Sequence, residues 1–186
     1  MEASTRLTDP AAMRALAHPT RLRILAELRS TGPATVGRLS SALDEAPGSI
    51  SYHLSRLAGI GLVSPDPTLA RDSRERWWRA EHELTSFHPV EDRADPERAA
   101  ASMALRREFA RRWAELHERY LDLEPSLDDA WVAAANEGDR SLHLSVEELA
   151  ELGAELDDLS ERWQARSRRG EGREAVVLLT AAFRRP

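Results

Sequence analysis

Between Gly48 and Arg56 the chain strings small and hydrogen-bonding side chains at a spacing that puts them on one helical surface. With Ile50 set at zero and about 100° added per residue, Ile50, Leu54 and Leu57 fall together on one side. Gly48, Ser49, Tyr52, Ser55 and Arg56 fall on the other. His53 lies beside the apolar side and reads as a half-buried packing residue. The polar set is small near its N-terminus, with a phenol and a guanidinium further on. Such a face donates and accepts hydrogen bonds at close range, and free N–H groups in a first helical turn favour an anion. A second group, Arg71, Arg74, Arg76 and Arg79, falls on or beside an expected hairpin. Guanidinium groups there suit phosphate, although alternation along a strand keeps them from all facing one way. Both groups suit recognition rather than bond-breaking. No glycine-rich phosphate loop, nucleophile motif or metal-hydrolase motif appears, and His117-Glu118 reads as a solvated pair. An enzyme is not expected.

The elements that must position these groups follow from caps, breakers and apolar spacing. Pro10–Ala17 is a short apolar segment. Pro19 suits a helix start, and Ile24, Leu25 and Leu28 follow at helical spacing until Thr31-Gly32-Pro33 ends the run. Thr35 is an N-cap for a helix over Val36–Leu43, with Val36, Leu39 and Leu43 on one face. After the turn Asp44–Pro47 a helix runs from Pro47 to about Ala58, stopped by Gly59 and Gly61. Leu62-Val63 opens an extended stretch, a hairpin tip falls near Arg71-Asp72-Ser73, and Arg74–Ala80 returns as a strand with Trp77 and Trp78. Helices followed by a hairpin are the order of a winged helix-turn-helix, whose recognition helix enters the major groove of DNA. The face from Gly48 to Arg56 is then the surface that meets base edges and phosphates.

Charge is distributed accordingly. The net charge of the chain is −6. Residues 11–80 hold ten arginines against six acids, and residues 81–186 hold fifteen against twenty-four. A basic N-terminal unit on an acidic C-terminal one suggests a polyanionic partner. The chain has neither lysine nor cysteine, so disulfides, thiolate metal sites and thiol redox sensing are excluded.

Leu16-Ala17-His18-Pro19-Thr20-Arg21-Leu22-Arg23-Ile24-Leu25 resembles the opening signature of the ArsR-type winged-helix family of bacterial repressors. Ser49-Ile50-Ser51-Tyr52-His53-Leu54-Ser55-Arg56-Leu57, followed by Gly61-Leu62-Val63, resembles that family's recognition helix and its exit into the wing. The match covers about residues 11–82. The resemblance implies a homodimer on a pseudo-palindromic operator, and it gives Ser49, Ser51, Tyr52 and Arg56 the DNA-reading role. Where metal-sensing members carry Cys-x-Cys, this chain has Arg38-Leu39-Ser40-Ser41-Ala42. His82, His88, His117 and His143 lack the paired spacing of the other metal sites, so no metal and no cofactor is expected.

The expected fold is mainly α with a small β part (α+β): a DNA-binding domain over residues 10–82, a linker over 83–96 and a C-terminal domain over 97–186. A long helix is predicted from Glu97 to about Asp122, with Leu105, Phe109, Trp113, Leu116 and Tyr120 on one face. Ala130–Ala134 and Leu142–Leu144 are read as short strands. Ser145 and Glu148 form a capping box for a helix whose Leu149, Leu152, Leu156, Leu159 and Trp163 make a seam. Ala175–Leu179 is read as a buried strand. Two uses of this half compete: dimerisation through the two helix faces, or an effector pocket lined by Trp113, Trp131 and Trp163 for a small molecule. With no apolar run long enough to span a bilayer, a cytoplasmic location without membrane contact is expected. The functional reading is a sequence-specific transcriptional repressor. Its rival is a winged helix used for protein contact without operator DNA.

Overall fold

The computed structural model describes residues 2–70, 76–168 and 170–185. The chain is mostly helical with small sheets, the α+β class expected. It divides into two compact units, Met1–Arg119 and Tyr120–Pro186, so the division falls within a helix rather than at residues 83–96.

The first unit is built on α1 (Pro10–Leu16), α2 (Pro19–Thr31), α3 (Val36–Leu43) and α4 (Pro47–Ala58). Each of the first three has a side-chain cap. Asp9 accepts from the N–H groups of Ala11 and Ala12, His18 from that of Thr20, and Thr35 from that of Arg38, as expected for Thr35. β1 (Glu2–Arg6) precedes them; β2 (Ala34–Thr35), β3 (Val63–Pro65) and β4 (Trp77–Ala80) form an antiparallel sheet in the order β2-β4-β3. Val63 pairs with Ala80 and Pro65 with Trp78, while Ala34 pairs with Trp78 from the other edge. The hairpin expected after α4 is therefore present at its base. Its expected tip at Arg71-Asp72-Ser73 lies outside the described residues.

One core serves α1 to α4 and the antiparallel sheet. Leu16, Ile24, Leu25, Leu39, Ile50, Leu54, Leu57 and Leu62 are fully buried, with Trp78 and Ala80 of β4 beside them. Gly61, at φ +72, lets the chain leave α4 sharply enough for the Leu62 N–H to reach the carbonyl of Leu57 at 3.0 Å.

Residues 83–96 are not the linker that their prolines suggest. They carry most of β5 (His82–Ser86) and α5 (Pro89–Asp92), and β5 pairs in parallel with β1. Arg29 on α2 explains why this stretch is held. Its Nε donates to the carbonyl of His82 and its Nη2 to Thr85 Oγ1. Burial pushes its pKa down to about 10. Phe87 packs edge-on against Phe109, with ring centroids 5.1 Å apart.

The long helix, α6, spans Pro96–Leu123, close to expectation. Its Ala101 and Leu105 join the first unit's core. In the second unit α7 (Asp129–Ala134) is helical where a strand was expected. A short apolar run does not by itself separate the two periods, and Asp129 favours a helical first turn. Leu142–Leu144 and Ala175–Leu179 belong to no strand, and the latter is exposed rather than buried. The capping box forms: Ser145 Oγ accepts from the Glu148 N–H and Glu148 Oε2 from the Ser145 N–H, opening α8 (Val146–Arg166).

Candidate nucleic-acid interface

The site is built on α4, because its two faces are treated so differently. Ile50, Leu54 and Leu57 are completely inaccessible, whereas Gly48, Ser51, Tyr52, Ser55 and Arg56 are exposed and Ser49 is partly so. Tyr52 keeps 56% of its surface open although it is one of the largest side chains of the unit. Burial of three aliphatic side chains, each worth about 1.5–3 kcal/mol, fixes the rotation of the helix. The polar set can then only point outward. Ser51 and Ser55 are not independent, since Ser55 Oγ donates to the Ser51 carbonyl at 2.9 Å. That bond uses the only hydroxyl proton of Ser55, which leaves it an acceptor.

The start of α4 differs from the starts of α1, α2 and α3. Its N-cap is Ala46, with no side-chain cap, and Pro47 follows. The N–H groups of Gly48 and Ser49 thus face outward without a capping oxygen, at the positive end of the helix dipole. Gly48 adds a second feature. A Cβ built there meets no atom within 4 Å, so packing within the chain gives no reason for glycine. A bare backbone at an exposed helix start allows close approach from outside.

A buried brace holds α4 to the helices before it. His53, expected as a packing residue, is buried, and its ring lies 4.6 Å from that of His18. Arg21 Nε donates to His53 Nδ1 at 3.4 Å, and Arg21 also bonds the Ala15 carbonyl. Nδ1 must therefore be unprotonated. Burial, then His18 and Arg21, hold the His53 pKa below its ordinary value, while Glu45 opposes them. Glu45 itself accepts from Arg23 at 3.3 Å, in the turn between α3 and α4. In that turn Asp44 adopts φ 52 and the Ser40 hydroxyl donates to the Glu45 carbonyl.

The wing arginines divide. Arg71 and Arg74 lie outside the described residues. Arg76 stacks over the ring of Trp78 at 4.4 Å, and Arg79 pairs with Glu81 at 3.4 Å, so both are engaged within the wing. Sequence reasoning missed Arg38. It is exposed on α3 and lies 4.5 Å over the ring of Trp77, bridging α3 to the wing. The signal was a cation on α3 and an aromatic at the start of β4, which only the β2–β4 pairing brings together.

The three tryptophans expected to line an effector pocket are divided between the two units. Trp113 belongs to the first unit and stands beside Phe109, 6.4 Å between centroids. Trp131 and Trp163 belong to the second and are exposed there, with Arg166 stacked on Trp163. A shallow depression on α8 is lined by Leu152, Leu156, Leu159 and Arg162, and by none of the three. Among the described residues there is no cluster of three or more His, Asp or Glu able to hold a metal. Nor is any helix among them long and apolar enough to cross a membrane.

Three helices, the turn before α4 and a hairpin base behind it have relatives. Residues 16–65 match the helix-turn-helix domain family. The matched segment runs from the end of α1 through α4 to the last residue of β3, and so contains the whole outward face described above. With β4 closing the sheet, this part of the chain is a winged helix-turn-helix, the architecture of DNA-binding regulators. The sequence matches none of the curated proteins. Among solved structures, reduced HlyU from Vibrio cholerae is 25% identical, over 53% of this chain and 86% of its own, at a TM-score of 0.33. A protein described as "possible transcriptional regulator for arsenical resistance" is 29% identical over 68% and 97%, at 0.32. ZitR from Lactococcus lactis, as a double mutant in apo form, is 16% identical over 80% and 84%, at 0.34. At these scores the likeness of the whole chains is slight.

Proposed function

We propose that the protein is a sequence-specific DNA-binding transcriptional repressor of the ArsR type, acting as a homodimer on a pseudo-palindromic operator. The observation that carries this reading is the start of α4: an uncapped, glycine-containing first turn leading into an exposed face of Ser49, Ser51, Tyr52 and Arg56. In this reading the Gly48 and Ser49 N–H groups hold a phosphate, and Ser49, Ser51 and Tyr52 read base edges in the major groove. Arg56 reaches either a guanine or the backbone one turn further on. Arg38, stacked on Trp77, and the wing arginines add contacts that position without reading sequence.

The ArsR assignment is supported by the two motifs at residues 16–25 and 49–63. The homodimer is supported by economy of recognition, since one small winged helix contacts few base pairs and two-fold symmetry doubles them. The repressor role is supported by the resemblance of those two motifs to the ArsR-type family of repressors. Selection from a pool of randomised duplexes tests the reading. It should enrich a pseudo-palindrome whose half-sites are centred about one helical turn, or a multiple, apart. A pool that remains random after repeated rounds contradicts it.

A further inference from the structure

The second unit has two apolar surfaces, one exposed and one covered only in part. Along α8, Leu149, Leu152, Leu156, Leu159 and Trp163 follow one another at steps of three and four, so they share one stripe. Leu159 is 37% and Trp163 55% exposed, and Leu149, Leu152 and Leu156 are half-buried. Beyond the helix, Val176, Val177, Leu178, Leu179 and Phe183 lie in a segment outside any helix or strand, with Val176 77% and Phe183 74% exposed. No described residue from 120 to 185 is buried. Contiguous apolar surface of this kind is uncommon on a protein that works alone.

We propose that the two surfaces cover each other between two copies of the chain: the Val176–Phe183 segment of one copy lies along the leucine stripe of α8 in the other. The proposal rests on the homodimer reading above and adds to it which surfaces meet. Their lengths agree. From Leu149 to Trp163 a helix rises about 21 Å at about 1.5 Å per residue, and from Val176 to Phe183 an extended chain covers about 23 Å at about 3.3 Å per residue. Their charges are complementary. α8 carries seven acids against two arginines, whereas residues 173–185 carry Arg173, Arg184 and Arg185 against Glu174 alone. The arginines bracket the apolar run, and Glu155 and Asp158 lie beside Leu152, Leu156 and Leu159 on α8.

A second copy is the occupant that the exposures favour. Within one chain Val176, Val177, Leu178, Leu179 and Phe183 all stand exposed, so the segment does not lie on its own helix. A second copy supplies the missing half at equal stoichiometry, and two-fold exchange covers both stripes with one repeated contact.

The absence of cysteine makes the test direct. Leu156→Cys and Leu178→Cys are introduced separately and together, with Ala154→Cys, on the opposite side of α8, as the control for random collision. After mild oxidation, the mixture of the two single variants should give a disulfide-linked dimer on a non-reducing gel. The double variant should do the same, and Ala154→Cys with Leu178→Cys should give only background. Light scattering on the unmodified protein separates the two layers of the argument. A dimer that forms no 156–178 cross-link overturns the exchange and leaves the homodimer standing. A double variant that closes its disulfide within one chain also overturns the exchange. A monomer at micromolar concentration overturns both.

Discussion

Replacing Gly48 by alanine should make the protein more stable and a poorer DNA binder. In the free chain the added methyl meets no atom within 4 Å, and the backbone there is helical. The substitution therefore costs no steric strain and reduces the freedom of the unfolded chain, a gain of about 0.4–1 kcal/mol. For a winged-helix unit of this size that raises Tm by a few degrees, since about 1 kcal/mol corresponds to about 4–8 °C. On DNA the same methyl occupies the space through which the first turn of α4 approaches the backbone. Losing one well-formed phosphate or base contact costs about 1–3 kcal/mol, or about 5- to 150-fold in Kd. Thermal melting followed by circular dichroism gives the first quantity, and fluorescence anisotropy on the selected operator gives the second. Because the two effects have opposite sign, weaker binding cannot be ascribed to unfolding. Gly48→Ala that binds as tightly as the wild type would show that α4 does not enter the groove by its N-terminus.

Arg56→Ala should cost about 1–3 kcal/mol and relax preference at one base pair per half-site if Arg56 contacts a guanine. Binding to every single-base operator variant checks this, and a uniform loss across them assigns Arg56 to the backbone instead. Arg38→Ala should weaken all duplexes alike and lower the slope of log K against log salt by about one unit, whereas an unchanged slope removes Arg38 from the interface. The pKa of His53 is held below its ordinary value, so the unfolded chain takes up its proton first as the solution acidifies. Its contribution to stability is complete above about pH 6.5 and is lost as pH falls through the ordinary histidine value towards the folded one. His53→Asn retains an acceptor for Arg21 and should flatten the fall of Tm between about pH 7 and 5; an equally steep fall in the variant means that another group is responsible.

The amphipathic helices were legible because their evidence is local. Ile50, Leu54 and Leu57 had to turn inward once α4 was recognised, and Thr35, Ser145 and Glu148 announced their helix ends through caps that act within one turn. What sequence missed depends on partners far along the chain. β5 reads as linker until β1, some eighty residues earlier, pairs with it and Arg29 donates to the His82 carbonyl and the Thr85 hydroxyl. The Arg38–Trp77 stack is invisible without the β2–β4 register. In the second unit the runs Ala130–Ala134 and Ala175–Leu179 were both read as strands, one becoming α7 and the other an exposed segment outside any helix or strand. Short apolar runs carry too little periodicity to choose, and a strand needs a neighbour that the local sequence does not specify.

The claim that this is an operator-binding protein is tested most directly by its affinity for the selected duplex and for a scrambled duplex of equal length, each measured across a range of salt. The account predicts that both affinities fall by orders of magnitude as salt rises, through release of counterions from several phosphates. The selected duplex should remain tighter by about 10³-fold or more at physiological salt. Equal affinities for the two duplexes, or binding indifferent to salt, would contradict it.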